Sequence, residues 1–126
     1  MTGGRGPAQA LLFDANTIAP ELVAFIREVR AGGVPVKMAV ESTVLDELGP
    51  LSLGKALKDI QPLSKEYFAA ACRALEKVPS MVLYVNADDR AINAARVAGL
   101  SAYRWNGPAD LPYIRAALGL PPSGAG

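Results

Sequence analysis

The 126-residue chain has no histidine and a single cysteine, Cys72. The first absence excludes Ser-His-Asp and Cys-His catalysis, which need an imidazole base, and every His-ligated metal site. The second excludes an internal disulfide and a thiolate zinc cluster. Charge of one sign is also lacking: 13 Lys and Arg against 12 Asp and Glu leave a net charge of +1, with the basic residues scattered. Binding to nucleic acid or to a membrane surface therefore gets no electrostatic support. No apolar run approaches the ~20 residues of a membrane span. The opening Met-Thr-Gly-Gly-Arg-Gly-Pro lacks the apolar stretch of a secretory signal, so a cytoplasmic location is the expectation.

What is present suits one domain. Half of the residues are hydrophobic (51%), enough for a core without disulfide or metal staples. The expected organisation is a flexible, Gly- and Pro-rich N-terminus over 1–8, an α/β domain over 9–120 and a flexible tail over 121–126. Ala10-Leu11-Leu12-Phe13 is a short apolar run ending at Asp14, as in a buried parallel strand. Ile18-Ala19-Pro20-Glu21 opens a helix, with proline in the first turn where its missing N–H costs little. Leu22, Phe25, Ile26 and Val29 stripe one face of that helix, and Gly32-Gly33 stops it. Residues 34–40 read as a second strand, and Ser42 or Thr43 caps a short helix through Leu48. Residues 51–63 fit either a helical turn or an edge strand.

From Ser64 the pattern clears. Phe68, Ala71, Cys72 and Leu75 stripe a helix that places Cys72 on its apolar face, as a small buried hydrophobe. Met81 to Val85 is a strand, and Asp88 is a good N-cap for a helix over 90–98. Ser101 to Arg104 is a further strand, and Leu111, Ile114 and Leu118 stripe a last helix. Strand and helix alternate, so parallel strands joined by crossover helices are the natural architecture. Ligands of such sheets bind at the C-terminal ends of the strands. That singles out Asp14-Ala15-Asn16-Thr17, Glu41-Ser42-Thr43 and Asn86-Ala87-Asp88-Asp89, which should meet at one edge.

Several of these segments resemble the haloacid dehalogenase superfamily in order and character. They are Phe13-Asp14; Arg30-Ala31-Gly32-Gly33-Val34-Pro35; the strand ending near Ser42; and Gln61-Pro62 with the helix that follows. Val82-Leu83-Tyr84-Val85 through Asn93-Ala94-Ala95-Arg96-Val97-Ala98-Gly99 continues the likeness, as do Ala102-Tyr103-Arg104-Trp105 and Asp110-Leu111. The resemblance implies a Rossmann-like three-layer sandwich with a mostly parallel central sheet. It also implies a phosphoaspartyl mechanism. One Asp attacks phosphorus, a second two residues later is the general acid, and a Ser or Thr holds the phosphate. A Lys neutralises charge, and a final acidic pair helps to bind Mg²⁺.

Carried over residue by residue, that machinery is incomplete. Asp14 matches the nucleophile and would also ligate the metal. Asn16 stands at the general-acid position, where a carboxamide cannot supply the proton, a loss that typically costs ~10²–10⁴ in rate. Ser42 matches the phosphate-holding hydroxyl, with Thr43 beside it. Gln61 stands where the Lys belongs, with Lys58 and Lys65 close enough in sequence to compensate. Asn86 and Ala87 align with the acidic pair, and a short slip in the turn would bring Asp88 or Asp89 to the metal instead. The family's cap is missing too, because little more than one helix separates Asp14 from Ser42. Water exclusion and substrate choice would then need a protein partner or a macromolecular substrate.

The leading expectation is thus a degenerate, capless domain serving in binding or regulation. A weak Mg²⁺-dependent phosphohydrolase using Asp14 is the alternative. Plainer roles stand beside these: Asp14 as a helix-capping strand end, Asp88, Ser42 and Thr43 as caps, and Trp105 either covering the sheet or facing a partner. A third reading is a metal-dependent ribonuclease resembling PIN domains. Asp14-Ala15-Asn16, Glu47, Glu66 and Asp88 would supply its Mg²⁺ or Mn²⁺ ligands.

Overall fold

The two central strands of the described sheet are apolar at consecutive positions because both of their faces are covered. The computed structural model describes residues 8–14, 20–39, 53, 57 and 59–120, with Asp14 and Pro20 described at the backbone only. Strand β1 (Ala10–Asp14) sends Ala10 and Leu12 to one side of the sheet, Leu11 and Phe13 to the other, and none of the four is more than 1% exposed. Strand β3 (Val82–Asn86) is buried at all five positions. Such two-sided burial marks a parallel sheet rather than a half-solvated antiparallel one.

The described strands form one four-stranded sheet in the order β2-β1-β3-β4, where β2 is Val36–Met38 and β4 is Ser101–Arg104. Every pairing is parallel. Helix α1 (Pro20–Ala31) joins β1 to β2, α2 (Lys65–Leu75) precedes β3, α3 (Asp89–Val97) joins β3 to β4, and α4 (Leu111–Ala117) follows β4.

Two cores lie on the two faces. On one, α2 and α3 bring Phe68, Ala71, Leu75, Ile92 and Ala95 against Leu12, Val82 and Tyr84. On the other, α1 and α4 bring Phe25, Ile26, Val29 and Ile114 against Phe13, Leu83 and Val85. The result is a Rossmann-like three-layer sandwich, the architecture expected from the alternation of elements. Cys72 is buried in the first core, and burial pushes its thiol pKa upward. Tyr67, Phe68 and Tyr84 continue that core as edge-to-face pairs, 5.2 and 5.1 Å between centroids. Such contacts add about 0.5–1.5 kcal/mol each beyond simple burial.

The boundaries show what propensity alone misses. The second strand is shorter than 34–40, with Leu53 N–H donating to the Met38 carbonyl just where its ladder ends. Leu57 N–H then donates to the Leu53 carbonyl, and both leucines are buried in the first core. Helix α2 stops at Leu75 because Glu76 takes a left-handed conformation (φ 57°), and a 3₁₀ turn over Pro79–Met81 intervenes before β3. Ser64 caps α2, its hydroxyl accepting from Tyr67 N–H at 3.1 Å. The short helix expected through Leu48 falls outside the described residues. Among those described, no helix is long and apolar enough to cross a membrane.

Candidate functional site

The strand order itself creates a crevice. From β1 the chain crosses to β2 on one side, whereas from β3 it crosses to β4 on the other. Parallel crossovers are right-handed, so α1 and α3 must lie on opposite faces, as the two cores show. The sheet therefore opens between the C-terminal ends of β1 and β3, the position where open α/β sheets bind ligands. The register places Asp14 beside Asn86 there, and Asn86 beside Arg104 of β4. Helix α2 runs antiparallel to β3, since its C-terminal end leads through a short turn into that strand and Phe68 near its start packs on Tyr84. Its N-terminal residues, Ser64, Lys65 and Glu66, thus point back toward the same edge.

Asn86 organises the turn after β3. It is only 8% exposed, so its amide must find partners inside the protein. Its Nδ2 donates to the Tyr84 hydroxyl at 2.9 Å, two residues back on the same face of the strand. Its Oδ1 accepts from Asp88 N–H at 2.9 Å, which folds residues 86–88 into an Asx turn. Its backbone carbonyl accepts from Trp105 N–H at 2.9 Å and carries the β3–β4 ladder one step further.

The acids that follow are placed by this turn. Asp88 is the N-cap of α3: its backbone is extended (φ −96°, ψ 124°) and its Oδ1 accepts from Arg90 N–H at 3.0 Å. That is the capping role expected for it. Asp89 lies in the first turn of α3, with Oδ1 3.4 Å from Arg104 Nε, and both side chains are more than half exposed. So open a pair stabilises the fold by about 0–1 kcal/mol. Lys65 and Glu66 are exposed in the first turn of α2, and Gln61 is exposed ahead of it.

The remaining candidates fall outside this description. Asn16, Ser42, Thr43, Glu47 and Lys58 lie outside the described residues, as does the side chain of Asp14. Mg²⁺ is the cofactor that the resemblance implies, and it needs oxygen ligands of high charge density. In the β3–α3 turn, the aligned Asn86 is neutral with both ends of its carboxamide engaged, and Ala87 offers no side-chain ligand. Asp88 is committed to a helix cap and Asp89 faces a guanidinium. Among the described residues, no group of three or more Asp, Glu, His or Cys comes together to hold a metal ion, and the side chain of Asp14, the first ligand the resemblance implies, lies outside them.

Two features went unread in the sequence. Arg104 joins the strand-end row through its pairing with Asn86 and its contact with Asp89. Asn86 serves as an internal hydrogen-bonding hub. The signal for the second was available: a Tyr and an Asn at i and i+2 on a buried strand share a face, and each needs a polar partner. Trp105 is half-buried and packs with Tyr103 and Leu111 against the second core.

Neither protein-family models nor curated proteins give a match to this chain. The fold is similar to the crystal structure, at 1.44 Å, of an uncharacterized protein from Corynebacterium glutamicum ATCC 13032 Kitasato. The TM-score is 0.68 at 15% identity, over 90% of this chain and 98% of that one. At that identity the likeness is one of fold.

Proposed function

We propose that this chain is a haloacid dehalogenase-like domain in which phosphoryl-transfer chemistry is lost or reduced to a trace. Its strand-end edge then serves in binding or regulation with a protein partner or other macromolecule. The observation that carries this reading is the state of Asn86. It stands beside Asp14 at the switch point, where the resemblance calls for a charged metal ligand. It is neutral there, and its carboxamide is spent on Tyr84 and on the turn. Asn16 in place of a general acid and Gln61 in place of a lysine point the same way. Electrostatic stabilisation is usually the largest share of such catalysis, so losing these groups together removes most of the rate. A cytoplasmic setting belongs to the same reading, in keeping with the free, buried thiol of Cys72.

The test is hydrolysis of p-nitrophenyl phosphate across a Mg²⁺ titration, comparing the native chain with Asp14→Asn. The expected result is no turnover above that of the variant at any Mg²⁺ concentration. Hydrolysis that saturates with Mg²⁺ and vanishes in Asp14→Asn would overturn the reading in favour of a weak phosphohydrolase. Mn²⁺-dependent cleavage of RNA that is lost in Glu47→Gln would overturn it in favour of the PIN-like nuclease.

A further inference from the structure

We draw no further inference here: the strongest candidate, the surface groove at the C-terminal end of α2 lined by Cys72, Arg73, Val78 and Pro79, lies at the sheet edge opposite the candidate site, and nothing in the structure shows what covers it.

Discussion

The Asn86 carboxamide donates to the Tyr84 hydroxyl at 2.9 Å, joining the last residue of β3 to a side chain that is wholly buried in the first core. The same carboxamide accepts from Asp88 N–H, so one side chain connects the core to the turn that starts α3. The position that the resemblance would give to a metal ligand holds a structural link.

Replacing Asn86 should therefore be felt in stability. Asn86→Leu removes one hydrogen bond from the Tyr84 hydroxyl and one from Asp88 N–H, at a cost of about 0.5–1.5 kcal/mol for each bond lost. Asn86→Asp keeps the shape but puts a carboxylate in a buried site next to Asp88. Burial and the like charge raise its folded pKa, so the penalty should be small below the unfolded value, about 3.9, and grow as pH rises from there to the folded one. Urea denaturation of both variants at pH 4 and pH 7 checks this. A penalty for Asn86→Asp that is equal at the two pH values would contradict the argument.

Asp88 separates a cap from a ligand. Asn caps as well as Asp, whereas Ala does not, so Asp88→Ala should lose about 1 kcal/mol and Asp88→Asn close to nothing. For a domain of this size, the first corresponds to a fall of about 4 °C in Tm. Both melts should be indifferent to added Mg²⁺. A Mg²⁺-dependent Tm in the native chain that disappears in Asp88→Asn would make Asp88 a metal ligand.

A long-range link lies on the opposite face. Arg115 of α4 is buried, makes a two-pronged ion pair with Glu28 of α1 and lies 5.3 Å from the centroid of the Phe25 ring. The hydrogen bond from Arg115 holds the Glu28 carboxyl below its ordinary pKa. A lowered folded pKa gives stability that is present above the unfolded value, about 4.3 for Glu, and is lost as pH falls through the folded one. The stability gap between the native chain and Glu28→Gln should thus hold steady near neutrality and shrink in acid. Denaturation midpoints from pH 7 to pH 3 measure it, and a gap that does not change with pH would refute the assignment.

Much of the fold was legible because its signals are local. The runs at Ala10–Phe13 and Met81–Val85 read as buried strands, and Asp88 read as a cap, two residues from the N–H group it satisfies. The site was legible only as a set of strand ends. What fixes the chemistry there is register: Asp14 meets Asn86 because β1 and β3 are neighbours, although 71 residues of chain lie between them. The Glu28–Arg115 pair spans 87 positions and leaves no local trace. Glu76 ends α2 in a left-handed conformation that favours glycine or asparagine, so no stop residue announced it.

The central claim is that the strand-end edge no longer assembles a metal-assisted phosphoryl site. Beryllofluoride with Mg²⁺ mimics a phosphorylated aspartate, and a ligand that binds only the native state raises Tm by mass action, about 2.7 kcal/mol at a hundredfold excess over Kd. The account predicts that Mg²⁺ and beryllofluoride together leave the melting temperature of the native chain unchanged. A rise in Tm that needs both components and is lost in Asp14→Asn would contradict it.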